Sequence, residues 1–580
     1  MRYVLALVTG LAGPAAADIT LNVSGDTATQ KAVRAASGLS MDGKTALDLY
    51  TDAQAEYGRL MGALYDLGHY GPVISVKIDG REAASIAPLD APDAVGAIVV
   101  TVDPGPLFHF GAVAVAPLTP QTELPEGFAT GAPAFAGQVQ AAVTAGIDGW
   151  RERGHAKAKV GTQSLTADHP SQTLSADITL APGPVLRFGS LTVTGMDRIS
   201  PDRIRAMAGL PTGQRFSASE AKRVAERLRR SGVFSSVTLS EAEGITPPDV
   251  LNFAAEVTEA KRRRYTFGAE YATDDGASLN AAWLHRNIFG GAERLEFTGS
   301  ASNIQAGASG IDYDLGVSLD RPASLGPDTA LALKAGFAHV DDADYRANTL
   351  TVSAGFTRYF TPSLTGTAAL AASYGTGEDA TGDFTQSSLS LPLSLTWDRR
   401  DSTTNPTRLF YLNGTLKPFV GFDSTDTGAR LAFDARAYRK VGGSVLALRL
   451  QGGAVLGARV LRTPREDLFY SGGGGTVRGQ PYQSLGAAVI ERGASVGIGG
   501  TQFIATSLEA RVKVTQAIGI VGFFDAGGVA IAGEGDFHAG AGLGLRYETG
   551  LGPVRLDLAV PVAGDTGDGL QIYVGLGQAF

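Results

Sequence analysis

The 580-residue chain has no cysteine. Disulfide frameworks, thiolate nucleophiles and cysteine-held metals or clusters are therefore excluded. Charged residues are scarce at 18%, yet hydrophobic content is ordinary at 44%, so the chain is not broadly disordered. The acidic balance, a net charge of −9, argues against a dedicated nucleic-acid binder. The 7 histidines are scattered, with no H-E-x-x-H or other paired spacing, so no metal site is expected. Gly540-x-Gly542-x-Gly544 lacks the G-x-G-x-x-G spacing and the following helix of a nucleotide loop, and neither a nucleotide site nor a hydrolase is expected. Beyond the first residues, no apolar run approaches the roughly 20 residues a membrane-spanning helix needs. Glycine, by contrast, is abundant at 76 residues, with no G-X-Y period to suggest collagen.

Residues 1–17 read as a secretory signal. Met1-Arg2 is a short positive region, Val4 to Gly13 is apolar, and Ala15-Ala16-Ala17 offers a small-residue cleavage site before Asp18. An exported chain without a spanning helix is either soluble or crosses a membrane as a β-barrel.

The first half repeats. Pro104-Gly105-Pro106-Leu107-Phe108-His109-Phe110-Gly111 aligns without gaps to Pro182-Gly183-Pro184-Val185-Leu186-Arg187-Phe188-Gly189. Regular spacing of this kind marks tandem modules, here 18–104, 105–183 and 184–262. The third is the most legible. A strand enters Gly195, and a helix is expected around Asp202 to Ala208. Ser217-x-x-Glu220 is a capping box, which satisfies free N–H groups at a helix start. Ala221, Val224, Ala225 and Leu228 then share one helical face. Ser231-Gly232 ends that helix, and two strands follow. The expected order, in three copies, is β-α-α-β-β. His69 and His155 occupy the same place in successive modules, which points to a helix cap or a place along a strand rather than a metal.

From about residue 263 a period of two takes over. Leu446, Leu448 and Leu450 alternate with Ala447, Arg449 and Gln451. Val554, Leu556, Leu558 and Val560 alternate with Arg555, Asp557 and Ala559. A soluble sandwich also alternates, but burying such charges in a dry core costs several kcal/mol each. Lipid outside and water inside suits the pattern better. Sixteen strands are expected between 263 and 580, with a long outer loop at 458–500. Gly540-x-Gly542-x-Gly544 reads as one of these strands.

Several motifs in this half, taken in order, resemble one family. Arg286-Asn287-x-Phe289-Gly290 resembles its turn after the second strand. Asp398-Arg399-Arg400-Asp401 with Pro406 resembles a hairpin in which Leu409 replaces the usual glycine. The long loop carries Val477-Arg478-Gly479-Gln480, similar to V-R-G followed by an aromatic. Ser507-Leu508-Glu509-Ala510-Arg511 resembles the strand-12 motif. Phe523, Asp525 and Gly527 match F-x-D-x-G. The sequence ending Tyr573-x-Gly575-Leu576-x-Gln578-x-Phe580 is similar to an outer-membrane β-signal, with Gln578 at its usually aromatic penultimate position. Together these resemble the Omp85 superfamily of outer-membrane assembly and secretion proteins, and the modules resemble POTRA domains. Three modules resemble the TamA branch, since BamA usually has five and two-partner secretion transporters two.

That resemblance implies POTRA modules in the periplasm and a 16-stranded barrel in the outer membrane of a Gram-negative cell. It implies a non-enzymatic assembly factor without cofactors, which inserts client β-barrels such as autotransporters through a weak seam. Arg478 would pair with Asp525, with Glu509 and Gly527 nearby. Tyr265, Phe267, Tyr573, Gly575 and Phe580 would line the seam between the first strand, about 263–273, and the last, 570–580. The partners implied are the lipid bilayer, client barrels and a TamB-like inner-membrane protein docked on the modules. A two-partner-type secretion pore, BamA-like general assembly and a barrel-anchored hydrolase are the alternatives.

Overall fold

The computed structural model describes residues 18–40, 43–272, 276–304, 310–342, 345–380, 382–491, 494–550, 552–564 and 569–580. The secretory signal expected at 1–17 lies outside the described residues. The chain forms two compact units. One runs up to Gly189 and adds 211–222 and 243–252; the other takes 190–210, 223–242 and everything from Phe253 onward.

The first module follows the expected order. A strand at Asp18–Val23 precedes helices α1 (Thr27–Ala36) and α2 (Ala46–Asp66), then strands Val73–Ile78 and Ala97–Asp103. Thr45 and Asp48 cap α2 reciprocally, each side chain bonding the other's backbone N–H. Val33, Leu60 and Leu64 of the helices bury against Val76, Ile98 and Val100 of the sheet.

The second module departs from the expectation. Between strands His109–Ala116 and Lys159–Asp168 it has one helix, α3 (Ala136–Glu152). Pro117, Pro120, Pro125 and Pro133 fall in the stretch that would have formed the other. Proline lacks the amide donor and its ring clashes one turn back, so four in 17 residues preclude a helix there.

In the third segment α4 (Pro201–Ala208) and α5 (Ala218–Arg230) lie where the pattern placed helices. Ser217 accepts from the Glu220 N–H at 3.2 Å, and Val224, Ala225 and Leu228 are buried. Gly68, Gly154 and Gly232, which follow the last helix of each module, all take positive φ. His69 and His155 also behave alike. Their Nδ1 atoms bond the carbonyls of Gly105 (3.0 Å) and Gly183 (2.7 Å), so each fastens a Pro-Gly-Pro turn.

The barrel is closed and antiparallel throughout. Its strands are β1 Arg263–Ala272, β2 Gly276–Arg286, β3 Arg294–Ile304, β4 Asp312–Arg321, β5 Thr329–Asp341, β6 Tyr345–Tyr359, β7 Leu364–Asp379 and an interrupted β8, Gly382–Ser390 with Leu393–Asp398. They continue as β9 Leu409–Asp423, β10 Gly428–Val441, β11 Ser444–Leu456, β12 Gln502–Lys513, β13 Ile518–Ile531, β14 Glu534–Thr549, β15 Gly552–Ala563 and β16 Gln571–Leu576. Pro392 breaks β8, because it has no N–H for the ladder, and both halves still pair with β7 and β9. The alternation sorts as expected: Leu446, Leu448, Val554, Leu556 and Leu558 are exposed outward, whereas Ala447, Arg555 and Asp557 are buried inward.

Within the same unit, α4 and α5 are bolted to two turns at one rim. Arg203 donates to the carbonyls of Gly291, Pro322 and Ala323. Asp328, in the turn between β4 and β5, accepts from Arg227 at 2.8 Å and from Arg230 at 2.8 Å. Arg230 also stacks on Tyr359 of β6, 3.9 Å from the ring centre. Arg286 donates to the carbonyls of Gly232 and Lys261, and Asn287 takes the left-handed turn position at φ +58°.

Candidate functional site: a loop latched in the lumen beside an incomplete seam

The segment between β11 and β12 leaves the rim opposite Arg263 and turns back into the barrel. Two short helical turns, Val460–Arg462 and Arg465–Asp467, anchor its start. Arg465 pairs with Asp379, Lys417 with Asp467 at 2.8 Å, and Gln386 donates to the Thr463 carbonyl. A small hairpin, Ala487–Glu491 with Ala494–Ile498, supports the return. Ser471 to Gln480 lies between these supports.

Arg478 is 2% exposed and is the hub of the site. Its Nε and Nη2 fork onto Asp525 at 2.7 and 3.0 Å, and its own backbone N–H reaches Asp525 at 3.1 Å. Nη1 donates to Glu509 at 2.8 Å and to Asp557 at 3.1 Å. The guanidinium plane also covers Phe523, 3.6 Å from the ring centre. Glu509 pairs onward with Arg511, and Asp557 with Arg546. Three arginines thus face three carboxylates, all under 10% exposed. Desolvating such ions is costly, and only near-complete mutual pairing offsets it.

Glycines make the approach possible. A Cβ on Gly540 would stand 1.9 Å from the Arg478 carbonyl oxygen. Gly527 leaves room for Ser471 and Val477, which is fully buried. Gly479, at φ +91°, packs against the Val560 carbonyl and donates its N–H to the Tyr573 hydroxyl at 3.0 Å. Gln480, at the family's aromatic position, is also fully buried. Its amide donates to the carbonyls of Ala539 (2.8 Å) and Ala563 (3.1 Å), so it bridges β14 and β15.

The barrel closes between β1 and β16 with two residue pairs, Tyr271 with Val574 and Ala272 with Tyr573. By contrast, β1 pairs with β2 along its whole length. Tyr265 and Phe267 are exposed outward on the stretch of β1 that β16 does not reach. Gly575 faces inward, where Arg555 and Glu270 form an ion pair beside it.

The expected last strand, 570–580, is corrected here. It ends at Leu576, and residues 577–580 leave the ladder. Gly577 makes the turn at φ +89°. Gln578 then bonds Arg546 and Asn405, the Arg511 guanidinium donates to the Phe580 carbonyl, and the Phe580 ring packs on Tyr438 and Ala447. Phe580 is therefore an interior side chain of the barrel rather than a seam residue.

The sequence places Arg478, Glu509, Asp525 and Gly527 at the site, with Phe523 in their motif but without a role; Asp557, the part played by Gly540 and the loop-facing role of Tyr573 emerge only from the structure. Asp557 had been noted only as an inward charge of its strand. The sequence marks Gly540 only as part of a glycine-rich strand; an inward glycine opposite a long loop is the available signal.

The comparisons follow this geometry. In fold, the chain is similar to BamA from Haemophilus ducreyi lacking POTRA domains 1–3, at TM-score 0.59 and 17% identity, covering 81% of this chain and 100% of that one. It is also similar to CdiB from Acinetobacter baumannii (TM-score 0.52, 12% identity, 81% of this chain and 90% of that one). CdiB from Escherichia coli gives TM-score 0.50 at 14% identity, covering 81% and 91%. Residues 287–580 match the Omp85 superfamily domain, and the chain belongs to that superfamily.

Proposed function

We propose that this protein is a non-enzymatic outer-membrane assembly factor of TamA type. It inserts client β-barrels, autotransporters among them, by β-augmentation at the β1/β16 seam. The observation that carries this reading is the seam itself. Of the ten residues of β1, two pair with β16, which leaves the backbone of eight, Arg263–Glu270, without a strand on that side. Lipid offers no hydrogen bonds, so an unpaired edge at this depth favours the addition of another strand. In this reading the latched loop holds the lumen closed while the seam yields, and client folding supplies the driving energy. The three N-terminal segments act as POTRA modules in the periplasm. They present sheet edges to a TamB-like inner-membrane protein.

A two-partner secretion pore is the second reading, and the likeness in fold to CdiB favours keeping it. The two differ in clients and conductance. Depleting an assembly factor lowers the surface level of several unrelated β-barrels, and the purified protein conducts poorly. Depleting a secretion pore removes one exported polypeptide and leaves the barrels unchanged. Surface proteomics of outer-membrane barrels after depletion decides between them.

A further inference from the structure

Lys261-Arg262-Arg263-Arg264 places four consecutive exposed cations at the start of β1, where the incomplete seam opens. Among the described residues, none of the three arginines has an ion-pair partner, although Arg294 nearby pairs with Asp320 and Arg198 with Glu259. Asp320 and Glu259 are thus already engaged. Inward-facing Glu270 sits near the other end of β1 and pairs with Arg555.

Register gives this charge a position. The pairs Tyr271–Val574 and Ala272–Tyr573 fix the antiparallel alignment of β16 on β1. Continued downward, that alignment would bring residue 580 opposite Tyr265, and the next backbone position opposite Arg264. Residues 577–580 do not follow it, because the chain turns inward at Gly577 and Phe580 is held by Arg511. The place beside Arg263 and Arg264 is therefore empty of strand. A strand that enters there antiparallel to β1 runs toward the cations, and if it is the last strand of a polypeptide its free carboxylate arrives among them. Successive side chains of a strand point to opposite faces, so Arg263 and Arg264 flank that end from both sides.

We infer that Arg262, Arg263 and Arg264 form a recognition site for the terminal carboxylate of an incoming strand, setting its register on β1. This rests on the assembly reading above. The site favours strands that end a chain over internal strands of the same composition, because only the former bring a carboxylate to the rim.

The test uses the full-length protein in detergent and a synthetic peptide of sequence QIYVGLGQAF, made as the free acid and as the C-terminal amide. The chain has no cysteine, so a Thr266→Cys variant and a peptide carrying cysteine in place of its alanine give one unique disulfide. In the continued register that alanine lies opposite residue 266. The expected result is on the order of five-fold more cross-link for the acid than for the amide, the scale of exposed charge pairs. With Arg262, Arg263 and Arg264 all changed to Gln, the acid should fall to the level of the amide. Equal cross-linking of both peptides in the otherwise unaltered protein overturns the carboxylate site and leaves strand addition standing. That comparison does not depend on whether the triple variant folds. An acid preference that persists in the triple variant places the carboxylate elsewhere and also overturns it. So does a triple variant that cross-links more of both peptides, since the cations would then guard the edge. Loss of co-purifying anionic phospholipid with unchanged peptide capture assigns the cations to headgroups instead. Absence of cross-link with either peptide defeats the assembly reading at this edge, and the inference with it.

Discussion

The backbone N–H of Gly479 donates to the hydroxyl of Tyr573, so the tip of the lumen loop is tied directly to the strand that closes the barrel. Tyr573 sits opposite Ala272 in the seam, and its ring is 2% exposed. The same hydroxyl donates to the Gln480 carbonyl at 3.5 Å, so loop and seam are coupled through the Tyr573 hydroxyl. Tyr573→Phe removes the hydroxyl and both contacts and keeps the packing of the ring. The expected cost is about 1 kcal/mol, the usual worth of a neutral hydrogen bond. The seam should open more readily without unfolding the barrel. A disulfide between cysteines placed at Tyr271 and Val574 reports this. It should form readily in the parent chain and more slowly in the Tyr573→Phe background. An unchanged rate would mean that loop and seam are not coupled there.

Gly540 tests how closely the loop must approach. Its absent side chain leaves the space that the Arg478 carbonyl occupies. That backbone oxygen cannot swing away as a flexible side chain could. Gly540→Ala should displace the loop tip, while strand β14, which tolerates alanine, persists. Protease cleavage within 471–480 should become detectable in folded protein. Continued resistance would show that the loop is held elsewhere.

How much of this was legible depended on range. The strands of the barrel could be read because inward and outward residues alternate along the chain, as in Val554 to Val560, and that pattern is local. Helix α5 was equally plain, since its cap and apolar face lie within 13 residues. The single helix of the second module was misread because the repeat was extended over prolines that contradict it. Arg478 and Asp525 came together through a family likeness, not through periodicity. Asp557 could not have been added that way: it meets Arg478 across 79 residues, and only closure of the barrel sets that distance. The inward turn at Gly577 depends on Asn405, Arg511 and Arg546, each remote in sequence.

Asp328 gives the pH dependence. Burial raises its pKa, but the hydrogen bonds and charges of Arg227 and Arg230 outweigh it and bring the carboxyl down from 3.8 to about 2. A carboxyl whose folded pKa is depressed contributes stability that is full above the unfolded value. It loses that contribution as pH falls toward the folded value. The join between α5 and the β4–β5 turn should therefore be insensitive to pH above about 5 and weaken from pH 3.8 to about 2. Hydrogen exchange of α5 amides, corrected for intrinsic rates, should show protection falling across that window. In Asp328→Asn, protection should be low already at neutral pH. Equal protection in both proteins would assign the join to Arg203 instead.

Leu409 should be a site of stored strain. It occupies the position where the family usually has glycine, and its φ of +68° is in the left-handed region. For a residue with a Cβ this conformation costs roughly 1–2 kcal/mol, and glycine adopts it freely. Leu409 is 51% exposed, so its replacement loses little packing. Leu409→Gly should raise barrel stability by about 1 kcal/mol, seen as a higher temperature for loss of the fast-migrating form on gels. A lower temperature would mean that the leucine's contact with lipid outweighs the strain.

Removing the hub of the lumen network should have the largest effect. Arg478→Ala leaves Asp525, Glu509 and Asp557 buried, with Asp525 stripped of its only charged partner among the described residues. Breaking a buried pair from one side costs about 3–5 kcal/mol, far more than the about 1 kcal/mol of an exposed pair. Part of this is recovered if water enters with the displaced loop, so the lower end of that range is expected. Arg478→Lys keeps the charge but cannot fork onto Asp525 while reaching Glu509 and Asp557, and should lie between. The exchange of Arg478→Asp with Asp525→Arg isolates the contact. The double variant should recover part of the summed loss, with a coupling above about 0.5 kcal/mol. Recovery will be incomplete, because Glu509 and Asp557 would then face a carboxylate on the loop. Simple additivity of the two single changes would show that the loop is held by its glycines and its backbone bonds, not by this pair.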